Sequence, residues 1–297
     1  MKTLGVKSNF LAIEQEFSSF DNSAVAIVSA PYEHSTSYGK GASLGPKAII
    51  AASAYVEFYD DEFDKEICFE KGIATITPLA LAKKKPQAAL KEIESTVTSL
   101  LESNKFVVTL GGEHTICTAP IKAHFNKYPS MSILHFDAHS DLRSEYQGSP
   151  YSHASALARV CDYFPPERLV QVGIRAQCKE EAEFIRTRGV KTFYASAIRR
   201  GLHGRNWQEN IANQLGNEIY VTFDIDYFDP AIMPATGTPE PDGFLWSETM
   251  DIFRAIRTAK KKIIGFDVVE FAPISKLHHC DLTAARLVYK MLNFAFA

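Results

Sequence analysis

The chain has no apolar run long enough to cross a bilayer, and Glu14 and Glu16 interrupt the only stretch where a secretory leader would sit. A protein without a membrane anchor, cytoplasmic by default, is therefore expected. No basic block exceeds Lys83-Lys84-Lys85 or Lys260-Lys261-Lys262, and a formal charge of -3 leaves no electrostatic footprint for nucleic acid. Those short runs read as solvated helix ends. The five cysteines, Cys68, Cys117, Cys161, Cys178 and Cys280, are odd in number, scattered, and form no C-x-x-C pair. They read as reduced, mostly buried thiols. Linkers, low-complexity tracts and internal repeats are also missing, so a single domain over residues 1–297 is expected.

What the chain does have is an alternation. Short runs rich in Val, Ile and Phe recur at 24–29, 106–110, 132–136, 169–174, 219–223 and 263–268, with longer segments of helical character between them. That pattern predicts an α/β fold in three α/β/α layers around a mostly parallel sheet. Pro46 opens one helix, Pro86 opens another that runs towards Leu101, and Asp281 with Thr283 offers N-cap chemistry for a last helix through Leu292. In such sheets the site is built by loops outside the carboxyl ends of the strands. Polar clusters stand there: Gly111-Gly112-Glu113-His114 after Leu110, Asp137 to Asp141 after Phe136, Asp224-Ile225-Asp226 after Phe223, and Glu270 after Val269.

In the stretch HFDAHSDLR, Asp137, His139 and Asp141 occupy every second position, so an extended chain would present all three on one side. With Asp224 and Asp226 they supply four carboxylates and one imidazole, and His114 adds a second imidazole. A single aspartate after a strand usually caps a turn. Four of them at apolar strand ends would repel one another unless a cation sat between them. Carboxylate oxygen in majority with some imidazole suits Mn²⁺ better than a thiolate-seeking metal, with Zn²⁺, Fe²⁺ and Co²⁺ as alternatives. A carboxylate bridging two ions would let them share and acidify one water. Spacing alone does not assign six ligands to two ions.

These motifs, together with residues 36–38 and 45–49, Asp224 to Pro230, the Thr-Gly-Thr-Pro-Glu-Pro stretch at 236–241 and Asp267-Val268-Val269-Glu270, resemble the ureohydrolase family of arginases and agmatinases, and agmatinases more than arginases. The resemblance implies the arginase-like fold and two Mn²⁺ per chain, bridged by Asp137 and Asp224, with His114 and Asp141 on one ion and His139 and Asp226 on the other. It implies that Asp141 also bonds the shared water, that Glu270 binds the guanidinium, and that His153 shuttles protons. Ala154 follows His153 where agmatinases often carry Gly or Ser. Trimers or hexamers are implied as well.

The expected reaction is hydrolysis of a guanidino compound to urea and an amine. Agmatine, giving putrescine in polyamine biosynthesis, is the first substrate the resemblance implies, because arginases read the α-amino and α-carboxylate groups with a loop that carries Asn, Ser and Gly groups, whereas the loop 142–150 looks agmatinase-like. Other expectations are aminopropylagmatine, a guanidino acid, arginine or formiminoglutamate. A metal-dependent deacetylase would need one metal, and a non-catalytic relative would have lost a ligand. The glycine-rich stretch 39–45 has G-x-G-x-x-x-G spacing without a following G-K-[ST], so it is neither a dinucleotide nor a Walker loop. His278-His279-Cys280 has poor metal spacing and reads as a loop into the last helix. Ser35, Ser37 and Ser43 show no Ser-His-Asp order for a nucleophile.

Overall fold

Strands that are apolar along their whole length need helices on both faces of their sheet. The computed structural model describes residues 1–296 and meets that requirement. Eight strands run Val25–Ala30 (β1), Ile73–Thr75 (β2), Phe106–Gly111 (β3), Ser132–Phe136 (β4), Leu169–Val172 (β5), Lys191–Phe193 (β6), Glu218–Asp224 (β7) and Lys262–Val269 (β8). They form one sheet in the order β2-β1-β3-β8-β7-β4-β5-β6, with every neighbouring pair parallel. Six of these strands were expected. The other two, β2 and β6, are three-residue edge strands, too short to leave a pattern and short as exposed edges commonly are.

Alternate residues of each strand go to opposite layers. Ile27, Val108, Leu134 and Val221 join one cluster, with Ile49 of the helix Gly45–Ser53, Phe253 of Trp246–Thr258 and Leu287 of His278–Phe296. On the other face Ala26, Val28 and Val107 pack against Ile93 and Val97 of Pro86–Glu102, while Ile133 and Tyr220 meet Ile121 of Thr118–Lys127. The last helix starts at His278, earlier than its Asp281 and Thr283 suggested, so His278, His279 and Cys280 form its first turn and no loop. The reason is burial. Cys280 continues the inward stripe of Ala284, Leu287, Val288 and Met291, whose spacing is helical. β5 also stops short of Ile174, because Gly173 turns with a φ of +95°.

The four strands with polar loops, β3, β8, β7 and β4, are consecutive neighbours, so their carboxyl ends form one continuous rim. Aromatic packing fixes two of them just below the rim. Phe136 and Phe223 stack at 4.8 Å, and Phe136 lies 5.5 Å from Phe253, which in turn stacks on Phe294 at 5.4 Å. Truncating a buried phenylalanine leaves a cavity, so Phe253→Ala is expected to lower stability by about 3–5 kcal/mol. Urea unfolding followed by circular dichroism checks the midpoint, and a change below about 1 kcal/mol would mean the aromatic stack does not bear on stability.

Candidate metal centre

Each polar residue at the rim is held by a backbone feature of its own loop. β3 ends in Gly111, and Gly112 lies so close to the 32 loop that a Cβ there would stand 1.9 Å from the carbonyl oxygen of Tyr32. The second glycine of this pair thus permits the approach, and His114 begins the next turn, His114–Cys117. After β4 the chain leaves the sheet at Asp137, and Asp141 takes a left-handed φ of +52°. Asp137, His139 and Asp141 therefore converge from the loop that follows β4. Beyond β7, Asp224 caps the turn Ile225–Tyr227 by accepting the N–H of Asp226 at 2.9 Å. Glu270 follows β8 with a φ of +61°.

All six residues expected around the ions come together. His114 Nδ1 lies 3.0 Å from Asp137 Oδ2, 3.1 Å from Asp141 Oδ2 and 3.3 Å from Asp224 Oδ2. His139 Nδ1 lies 2.9 Å from Asp226 Oδ2 and 3.5 Å from Asp137 Oδ1. Asp137 thus turns one oxygen to each group, and Asp224 Oδ2 stands with the first.

The donor set passes a chemical test for a cation. His114 Nδ1 is buried and has no hydrogen-bond partner, though three carboxylate oxygens surround it. Its other nitrogen, Nε2, lies 3.0 Å from Thr222 Oγ1, whose hydroxyl donates to Asp267 Oδ1 at 2.7 Å, while Tyr220 donates to Asp267 Oδ2 at 2.8 Å. With the threonine proton committed to Asp267, Thr222 accepts from Nε2–H, and Nδ1 is left with a bare lone pair among the oxygens. A metal-ligating histidine needs that tautomer, and the outer partners fix it.

His135, another buried imidazole, approaches Asp137 Oδ2 at 2.7 Å through Nε2. Geometry alone would group it with His114 and Asp137 as a ligand. Its hydrogen bonds say otherwise. Gln171 Nε2 lies 3.0 Å from His135 Nδ1 and donates to the carbonyl of Ser140 at 2.8 Å, while Gln171 Oε1 accepts from Thr192 at 3.1 Å. That orientation puts an amide donor on Nδ1, so the ring proton sits on Nε2 and points at Asp137. His135 orients the carboxylate and has no lone pair left for a metal. His135 and Asp267 stand within the sequence motifs, which assign neither a role, though each is a polar residue inside an apolar strand.

A cavity of about 450 Å³ opens above this cluster, lined by His139, Asp141, Asp224, Asp226, Glu270 and His153 among others. Burial, and then the charge of Glu113, push the Glu270 carboxyl well above the usual range. Its Oε1 accepts the N–H of His114 at 2.6 Å. Burial lowers the His153 imidazole to about 4, so it is neutral at pH 7. Ala154, at the position noted as unusual, lines the same cavity, and its carbonyl accepts the N–H of Arg143. Arg143 and Arg175 also reach the cavity, which the motifs did not show. The Arg143 side chain stacks over Tyr146 at 5.0 Å, with its Nε 3.7 Å from the buried carboxylate of Glu181. Arg175 donates to six main-chain carbonyls, those of Asp226 at 2.7 Å, Glu240 at 2.9 Å and Pro241 at 3.0 Å, with Gly173, Tyr227 and Phe228 at 3.2 to 3.4 Å.

Comparison with known proteins gives this geometry its relatives. The model of the arginase family matches residues 23–293. The chain is 36% identical to an N(1)-aminopropylagmatine ureohydrolase of Synechocystis sp., covering 94% of this chain and 92% of the other. It is 35% identical to an agmatinase of Bacillus cereus, covering 92% of each. Among solved structures, the agmatine ureohydrolase of Thermoplasma volcanium matches with a TM-score of 0.83 and 25% identity, over 100% of this chain and 94% of that one. The likeness spans the sheet and all four strand ends, and the chain belongs to the arginase family, as a ureohydrolase.

Proposed function

We propose that the protein hydrolyses agmatine to putrescine and urea with two Mn²⁺ ions held by His114, Asp137, His139, Asp141, Asp224 and Asp226. The observation that carries the reading is the pairing of two His–carboxylate groups through Asp137, directly beneath a cavity that holds Glu270 and His153. When bound, the cations supply a water activated for attack at neutral pH. Glu270 receives the guanidinium through paired hydrogen bonds and turns its carbon towards the cluster. A cation arriving there also offsets the burial that disfavours the Glu270 charge. His153, neutral, takes up the proton released as water adds and gives it to the leaving nitrogen, so that the carbon–nitrogen bond breaks with an amine departing. Asp141, on the cavity wall, is the second group placed to pass protons.

The distal end of the substrate lies towards the mouth. The loop 142–150 brings one cation there, Arg143, but Glu181 and Tyr146 already engage that side chain. The carboxylate of Glu240, partly exposed on the same wall, favours an amine tail over a carboxylate. This also supports a second reading, N1-aminopropylagmatine, whose longer tail ends in an amine and which names the Synechocystis relative.

Metal analysis after Mn²⁺ loading is expected to give close to two ions per chain, and one ion at saturation in a folded protein would overturn the binuclear reading. Asp137→Ala is expected to lose more metal than Asp226→Ala, because only Asp137 faces both histidines. Glu270→Gln is expected to keep both ions and lose more than about tenfold in kcat/KM, since truncating one side of a buried charge pair costs about 2–5 kcal/mol. Full turnover by that variant would place Glu270 outside the reaction.

Agmatine is expected to be cleaved with a higher kcat/KM than arginine, whose carboxylate would be desolvated beside Glu240 without a free partner. Urea release from agmatine, N1-aminopropylagmatine and arginine at equal concentrations measures this. Preference for arginine overturns the assignment, whereas preference for the longer amine keeps the chemistry and changes the tail.

A further inference from the structure

Ser35 and His153 are 118 positions apart in the chain, yet they share two contacts. The N–H of His153 donates to Ser35 Oγ at 2.9 Å, His153 Nδ1 lies 3.2 Å from the same oxygen, and Ser35 Oγ lies 3.1 Å from Glu113 Oε2. Glu113 is wholly buried, and its Oε2 also accepts the backbone N–H groups of His34 at 2.8 Å and Ser35 at 2.6 Å. An oxygen that accepts two N–H groups is an acceptor for the hydroxyl too, whatever the state of the other carboxyl oxygen. Ser35 has one proton to give, and the bond to a carboxylate oxygen is stronger than one to a neutral imidazole. Its lone pairs then face the two nitrogens of His153, the main-chain N–H and Nδ1.

We propose that Ser35 is a positioning residue that holds the ring proton of His153 on Nδ1, so that Nε2 alone exchanges protons with the reacting groups. The assignment rests on the reading of His153 as the proton shuttle. Nε2 meets only Ser37 Oγ, at 3.4 Å, on the cavity wall, and Tyr146 stands edge-on to the ring at 6.0 Å, limiting its rotation. In each cycle one proton arrives at Nε2 from the attacking water and leaves from Nε2 to the amine; the Nδ1 proton stays in place. The arrangement contains a serine, a histidine and an acid, but the acid faces the serine. The hydroxyl proton is drawn away from the imidazole, so Ser35 is a fixed acceptor and no nucleophile, in keeping with its lack of a nucleophile's sequence order.

The test uses Ser35→Ala and Ser35→Thr in the full chain. Ser35→Ala retains both main-chain N–H bonds to Glu113, so the loop stays anchored, and Thr restores the hydroxyl. Ring-nitrogen correlation spectra of ¹⁵N-histidine protein loaded with diamagnetic Zn²⁺ read the tautomer, with His153 assigned by its disappearance in His153→Asn. The wild type and Ser35→Thr are expected to show Nδ1–H, and Ser35→Ala to shift towards Nε2–H. In the Mn²⁺-loaded enzymes kcat is expected to fall about tenfold or more in Ser35→Ala, with KM and metal content unchanged and recovery in Ser35→Thr. An Nδ1–H tautomer that persists in Ser35→Ala overturns the proposal while leaving the shuttle reading intact. If His153→Asn turns over normally, the shuttle reading itself fails, and with it the catalytic part of the role given to Ser35.

Discussion

Four aspartates packed around two histidines, with Glu113 and Glu270 just beside them, repel one another across a few ångströms while being withdrawn from water. Asp224 is pushed well above the ordinary carboxylate range by burial, then by Asp226 and Asp137, and burial followed by the charge of Asp137 raises Asp141 to about 7. The surrounding structure is arranged to hold this cluster together. N–H groups from Ala138, His139 and Asp226 are aimed at its oxygens, and three parallel strands supply a rigid base that prevents the aspartates from swinging apart. A pair of divalent cations is the counter-charge such an arrangement fits.

The layer below the cluster does a different job. Asp267 and Thr222 on neighbouring strands act on His114, and Gln171 acts on His135, in each case by deciding which ring nitrogen carries the proton. The partner's other hydrogen bonds decide its role: Thr222, with its proton committed to Asp267, can only accept from His114, whereas the Gln171 amide, with its oxygen taken by Thr192, can only donate to His135. Both rings carry the proton on the same nitrogen, Nε2, and put it to different uses. His114 is bare at Nδ1 towards the carboxylates, whereas His135 points a proton at one of them.

The metal-binding motifs were legible in the sequence because each stands where a strand's apolar run stops, and the stop is a local signal. Strand order was not local, so the adjacency of the loops after β3, β8, β7 and β4 had to come from topology. Residues that act from within the sheet were hidden for a related reason. His135 and Asp267 interrupt apolar runs, but their partners, Gln171 and Thr222, lie on other strands, and no spacing along the chain reveals such pairs. Ser35 was visible only as a serine without the order of a nucleophile; its contacts are with a histidine more than a hundred residues away. The convergence of Asp137, His139 and Asp141 was legible from their spacing after the strand, whereas the left-handed turn at Asp141 that contributes to it leaves no mark on that spacing.

The six carbonyls gathered by Arg175 come from three separate segments, around residue 173, at 226–228 and at 240–241. A guanidinium shared in this way acts as a rivet, and moving any one segment would break charge-assisted bonds in the others. This wall of the cavity consequently does not swing as a door. A substrate on this side would meet a wall already pinned in place, so none of its binding energy would go into closing it. Entry on this side is governed by diffusion and orientation, and how long a molecule stays is governed by the contacts it makes once inside.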